Sequence, residues 1–225
     1  FSYFELGQYE DAKKYLLAYI EKNPNDLQSI VRMGEIQSAL SDSVASNLYL
    51  NNAIIAWYTP KTNLERRLAY NYSLLWDTVG MMKVLGYLLQ EEDATEDDFA
   101  VAITAALADG DFTHALSWSD MGNVKFPNSL MLGPLAIRVA RESGELDRAD
   151  ALLQWVDPKS LLSNPNFLLE KAKLFYDKKD YVSAKKLFEE LKDMDGWTDL
   201  AYESDVYLAR IKDLESPSEQ KTGWW

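Results

Sequence analysis

Apolar residues recur along this chain at steps of three and four. Tyr9, Ala12, Leu16, Tyr19 and Ile20 form one such stripe, and Ala184, Leu187, Phe188 and Leu191 repeat it near the C-terminus. That period puts the apolar side chains on one face of an α-helix, with a small residue where a second helix can approach closely. The stripes themselves recur. The run from Leu6 to Ala12 is matched by Ala108 to Ala115, by Glu142 to Ala149 and by Asp177 to Ala184. The alanines stand at 12, 115, 149 and 184, so the last two gaps are 34 and 35 residues and the first, 103, is three units of about 34. A period of this size predicts stacked helical hairpins.

Each unit reads as helix A, a tight turn, helix B and a linking turn. Gly7, Gly110, Gly144 and Lys179 fall in the tight turn, where a helix C-cap needs a left-handed residue. Pro24-Asn25, Pro127-Asn128, Asp157-Pro158 and Asn164-Pro165 fall in the links, where proline stops one helix and opens the next. The early middle of the chain is degenerate. One period after Ala12 lies Ser46, and another period reaches Gly80 or Met81, without the Gly-aromatic turn. The helical period persists there, so two units are assigned, with a break at Pro60. Thr95 before Glu96-Asp97-Asp98 predicts a capped helix start.

The expected organisation is one domain over residues 1–214. Its units run about 1–25, 26–58, 62–92, 95–128, 129–158 and 164–194, with a capping helix at 199–214 and a flexible tail at 215–225. About a dozen helices and no sheet are expected. Trp224 and Trp225 receive no role.

Residues 3–25, 99–128, 130–157 and 165–192 resemble the tetratricopeptide repeat (TPR) family, and 26–92 resemble it more weakly. The resemblance implies an all-α fold, an α-α superhelix or TPR-like solenoid of about five to six hairpins plus the C-terminal cap. It also implies a small residue inside helix A, present as Gly34, Ala69 and Ala172 but replaced by Ile103 and Ile137. Those two replacements should push apart or tilt their helix pairs. The family binds partners in a concave groove lined by helix A, so the resemblance implies a scaffold or adaptor and no chemistry.

Transferred onto this sequence, the groove pattern selects Val31, Arg32, Glu35 and Ser38, then Arg66, Arg67, Tyr70 and Ser73. It continues through Ala100, Val101, Thr104 and Leu107, then Pro134, Leu135, Arg138 and Arg141, and ends at Leu169, Glu170, Lys173 and Tyr176. These positions hold six cations and two anions. Arg66, Arg67, Tyr70, Val101, Leu107, Leu135, Arg138, Arg141, Lys173 and Tyr176 are the candidate partner-binding residues. Arginine forks suit carboxylates and tyrosines supply rigid contact area. The expected partner is therefore a protein or peptide with acidic residues around an apolar anchor. The alternative is that these arginines pair with acids of the same chain.

Composition narrows the functions. A net charge of −13 disfavours nucleic acid and anionic membrane, both of which need basic surface, and hydrophobic residues at 47% can build a core. There is no cysteine, and His114 is the single histidine, so neither thiolate catalysis nor a His/Cys metal site is available. The segment Ser73 to Leu89 contains Asp77 and Lys83 and reads as amphipathic, with no direct membrane insertion. Asp193-Met194-Asp195-Gly196 lacks the later ligands of a calcium loop and reads as a turn. Glu91 to Asp98 reads as a solvated helix cap. Asn71-Tyr72-Ser73 is a glycosylation sequon within a predicted helix and is discounted. No cofactor, metal or enzymatic activity is expected. The protein is expected to be soluble, from a bacterial envelope, periplasm or cytoplasm, and a piece of a longer chain. A second reading is a self-assembling homo-oligomer joined through the solenoid ends, where Phe1, Tyr3 and Phe4 lie.

Overall fold

The structure, a computed structural model, describes residues 2–155, 164–194 and 198–215. Phe1, Asp157-Pro158, Asp195-Gly196 and residues 216–225, with Trp224 and Trp225, lie outside the described residues. Thirteen helices and no strand occur among those described. They are α1 (Ser2–Glu5), α2 (Tyr9–Lys22), α3 (Leu27–Ala39), α4 (Ser43–Ile55), α5 (Thr62–Leu74), α6 (Thr78–Leu88) and α7 (Glu96–Asp109). Then follow α8 (Phe112–Lys125), α9 (Leu132–Glu142), α10 (Leu146–Trp155), α11 (Pro165–Asp177), α12 (Tyr181–Lys192) and α13 (Thr198–Glu215). The chain divides into two units, Phe1–Asp109 and Gly110–Trp225. Hairpins α1–α2, α3–α4 and α5–α6 precede α7 in the first; α8, hairpins α9–α10 and α11–α12, and the covering helix α13 make up the second.

One backbone device recurs through both units. The residue that leaves helix A has positive φ at Gly7, Ser41, Trp76, Gly110, Gly144 and Lys179, positions 34 or 35 residues apart. The next residue begins helix B. Asp42, Asp77, Asp111 and Asp180 each accept a backbone N–H three residues on, from Ala45, Gly80, His114 and Ser183 at 2.8–3.2 Å. A left-handed residue followed by an aspartate N-cap closes one helix and opens the next. The two middle units thus carry the same turn without glycine: Ser41-Asp42 and Trp76-Asp77 stand where Gly110-Asp111 and Lys179-Asp180 stand later. A left-handed backbone strains any residue with a Cβ, and Trp76 accepts that while 93% exposed.

Five positions after that turn, Ala12, Ser46, Ala115, Ala149 and Ala184 are all buried. Met81 takes this place in α6 and is half-buried. Gly34 on α3 lets α4 come close, for a Cβ there would lie 2.7 Å from Cδ2 of Leu50. Ile103 and Ile137 are fully buried. Ile137 packs with Ala140, Ala149, Phe167 and Leu174, while Ala172, Ala184, Phe188, Leu191, Leu200 and Ile211 form the cluster under α13.

The seam between α3–α4 and α5 is partly polar. Asn71, fully buried, donates to Ser46 Oγ and to Asn47 Oδ1 at 2.9 Å each, and its own Oδ1 accepts from Ser38 Oγ at 3.3 Å. Ser46 fills the small-residue position and also serves this network. Full satisfaction makes such a network a register device rather than a defect.

Candidate partner-binding surface

In the first unit, α3 and α5 leave a pocket of about 430 Å³ between them, lined by Val31, Glu35, Asn63, Leu64, Arg66, Arg67 and Tyr70, with Leu50 at its floor. The candidate residues Arg66, Arg67 and Tyr70 therefore come together. Arg66 is already engaged: Nε and Nη2 donate to the two Asp98 oxygens at 2.8 and 2.7 Å, and Nη1 donates to Asn63 Oδ1 at 2.9 Å. The Asp98 hydrogen bonds raise the Arg66 pKa further. Arg67 is exposed, reaches only Ser38 Oγ at 3.5 Å, and has no carboxylate partner among the described residues. Tyr70 is 55% exposed beside it. Glu35 is held by Arg32 at 2.9 Å.

Val101 on α7 is 57% exposed, as a groove position should be, but Leu107 is buried in the core. Leu107 sits near the end of α7 where the apolar face, not the solvent face, needs a large side chain.

The second unit differs more from expectation. Arg141, with a side chain only 8% exposed, donates to Glu170 at 3.2 Å and to Asp177 at 2.8 Å. Burial alone would depress its pKa; Glu170 and Asp177 reverse that and hold it charged. Lys173, also buried, bridges Glu170 at 3.3 Å and Glu203 of α13 at 2.7 Å. Tyr176 packs edge-on against Tyr181 and against Tyr207 of α13. The Arg141 and Lys173 side chains are thus buried, and Tyr176 is half-buried. The reason is local: α13 packs chiefly on α12 and reaches α11 with Glu203 and Tyr207, which engage Lys173 and Tyr176. Arg138 is 45% exposed and bound to Glu142 at 2.7 Å, and Leu135 is half-buried. For Arg66, Arg138 and Arg141, the reading in which arginines pair within the chain is the one observed.

What the sequence reading missed is that Asp98, Glu170, Asp177 and Glu203 capture these cations. A signal existed. Asp98 stands 32 residues after Arg66, and Glu170 and Asp177 stand 29 and 36 after Arg141, close to one repeat, which puts them on the next helix A.

The acidic run before α7 is likewise a strap rather than a free cap. Glu91 binds Lys61 at 2.6 Å, Asp93 accepts from Thr62 Oγ1 at 2.9 Å and Asp98 binds Arg66, so three acids hold the first turns of α5. Thr95 and Asp98 also cap each other: the Thr95 N–H donates to Asp98 Oδ2 at 2.8 Å, and the Asp98 N–H to Thr95 Oγ1 at 3.4 Å. Burial pushes the Asp98 pKa up, but the Arg66 guanidinium and the Thr95 donors outweigh it and leave it below the ordinary value.

A second pocket, about 410 Å³, lies under α1 against α2 and α3, with Tyr3, Tyr15, Tyr19 and Arg32 in its lining. Tyr3 stacks on Tyr15, and the Arg32 guanidinium sits 4.6 Å over the Phe4 ring. His114 is exposed on α8, 2.6 Å from Asp111 and beside the Trp118 ring. Among the described residues no three His, Asp or Glu side chains converge on a metal position, and no helix is long and apolar enough to cross a membrane.

No family model and no curated protein sequence matches the chain. Solved structures do. The C-terminal part of a TPR repeat-containing protein from Cytophaga hutchinsonii aligns with a TM-score of 0.66 at 11% identity, over 95% of this chain and 86% of that one. The chain has a tetratricopeptide-repeat fold. YrrB, described as a TPR protein with an unusual peptide-binding site, aligns at 0.63 and 12% identity over 85% of this chain and 97% of its own. A thermophilic TPR protein of Thermus thermophilus aligns at 0.51 and 19% identity, over 81% and 99%. The helix A of this chain that carries Arg67 and Tyr70 is thus a candidate recognition helix, whereas on the last helix A Lys173 and Tyr176 are engaged by α13.

Proposed function

We propose that this protein is a protein–protein interaction scaffold that binds a peptide segment on the helix A face of its first unit. The observation that carries the reading is the Arg67–Tyr70 pair at the 430 Å³ pocket, a guanidinium without a carboxylate partner among the described residues beside an exposed aromatic ring, in a chain of net charge −13. With no carboxylate partner among the described residues, the Arg67 guanidinium is free to fork onto one from a partner. Tyr70 and Val31 offer the apolar anchor point next to it. The peptide-binding site named for YrrB lends support to the same use of this fold. The acidic body repels acidic chains at long range, so recognition is short-range; screening reaches about 8 Å at physiological salt. No chemistry is assigned to the site.

The test is selection from a displayed peptide library against the whole chain, followed by titration of the winners. Peptides enriched in an acidic residue next to an apolar one are expected, and Arg67→Glu should weaken them at least tenfold while Arg138→Glu leaves them unchanged. Winners that are basic, or that bind Arg67→Glu as tightly as the parent, would overturn the assignment.

A further inference from the structure

Two unlike charges flank the pocket between α3 and α5. Arg67 of α5 and Glu35 of α3 both line it, over an apolar floor of Val31, Leu50 and Leu64. Arg67 reaches Ser38 Oγ at 3.5 Å, about one turn along α3 from Glu35, yet no ion pair joins Arg67 to Glu35 among the described residues. Glu35 is met by Arg32, 2.9 Å away on its own helix, and the two side chains keep 35% and 31% of their surface exposed. Arg32 is not part of this wall; its guanidinium lies 4.6 Å over the Phe4 ring, at the pocket under α1. An exposed pair three residues apart on one helix holds its members weakly, so the Glu35 carboxylate can take a second cation. Arg66, the remaining charge in the lining, is settled on Asp98.

We propose that the segment bound here is zwitterionic: an apolar side chain flanked by an acidic residue for Arg67 and a basic one for Glu35. This rests on the peptide-binding reading above and names the chemistry of its partner. Charge complementarity carries it. A purely acidic segment satisfies Arg67 but brings a carboxylate beside that of Glu35, and a purely basic one meets Arg67 with a like charge, so each is selected against. A segment with both charges meets neither penalty. It also has no net charge, so the body of −13 does not repel it at long range. The geometry allows it. Helices packed side by side lie about 8–10 Å apart, and an extended segment advances about 3.3 Å per residue, so charges about three residues apart reach both walls with an apolar residue between them.

Peptides selected from a displayed random library on the whole chain, then synthesised and titrated by calorimetry, test this. Winners should carry an acid and a base on either side of an apolar residue. Glu35→Gln should weaken them about fivefold or more. Alanine at the peptide's basic residue should cost the parent protein as much and cost the Glu35→Gln protein little, the mark of a direct pair. That substitution lies in the peptide, so its effect on the parent serves if Glu35→Gln folds poorly by circular dichroism. Winners with an acid and no base, or winners that Glu35→Gln binds as tightly as the parent does, would overturn the zwitterionic reading and leave the peptide site standing so long as Arg67→Glu still weakens them. Tighter binding to Glu35→Gln would overturn it too, by showing that Glu35 competes for Arg67. Winners indifferent to Arg67→Glu, or no winners at all, would overturn both readings.

Discussion

Arg66 grips Asp98 with both arms of its guanidinium fork, Nε to Oδ1 at 2.8 Å and Nη2 to Oδ2 at 2.7 Å, tying α5 to the first turn of α7. The Asp98 side chain is only 8% exposed and also receives the Thr95 N–H. A residue that seemed placed to greet a partner is instead a joint between repeats.

Asp98→Asn should therefore cost about 1–3 kcal/mol, since it leaves Arg66 and Thr95 with weaker acceptors. The pH dependence follows from the sign of the shift. A carboxylate whose folded pKa lies below its unfolded value stabilises the fold above that unfolded value, and the contribution fades as pH falls through the folded pKa. Urea titrations of parent and variant should diverge at neutral pH and converge in strong acid. Equal midpoints at pH 7 would show that the fork contributes nothing net.

Glu65 behaves oppositely. It is buried, its Oε2 has no hydrogen-bond partner, and burial raises its pKa, helped by Glu91 and Asp93 and opposed by Lys61 and Arg66. The folded state then keeps a proton that the unfolded state releases, so stability falls as pH rises from the ordinary carboxyl value through the raised one. Glu65→Gln should flatten that fall and raise stability at pH 7 by on the order of 1 kcal/mol. A lower Tm for the variant at pH 7 would contradict this account.

Gly34 and Leu50 should show coupling. A Cβ at Gly34 meets Leu50 Cδ2 at 2.7 Å, and Leu50 is 1% exposed, so its packed side chain must shift to make room. Alanine would gain about 1 kcal/mol in helix propensity, but overpacking costs about 1–3 kcal/mol, and the balance favours net loss. In a double-mutant cycle, Gly34→Ala should be milder on a Leu50→Ala background. Additive effects would mean the hairpin relaxes elsewhere.

Trp76 offers the reverse experiment. It holds φ 56° with 93% of its surface exposed, at a turn where three other repeats use glycine. Trp76→Gly should raise thermal stability by about 0.5–1 kcal/mol through relief of left-handed strain, less whatever the freer unfolded chain takes back. A drop in the melting midpoint would show that the ring makes contacts worth more than the strain.

By itself, the sequence determined the helices and the period. Steps of three and four define the faces, and small residues at 12, 115, 149 and 184 mark where helices touch; both are local consequences of helix geometry. The turn was legible even in the degenerate units, had the aspartate after each left-handed residue been weighed: an N-cap needs only its own residue and the next three. What a groove position does was not legible. Arg67 and Arg141 carry the same side chain at groove positions of two A helices, α5 and α9, yet one is exposed and the other buried on Glu170 and Asp177. The difference comes from neighbours: Glu170 and Asp177 of α11 meet the Arg141 guanidinium, and Glu203 of α13 closes on Lys173. Burial of a charged group is set by everything packed around it, often a repeat or more away in sequence. The repeat therefore predicts where a side chain points, and the tertiary structure decides whether anything is left there for a partner to meet.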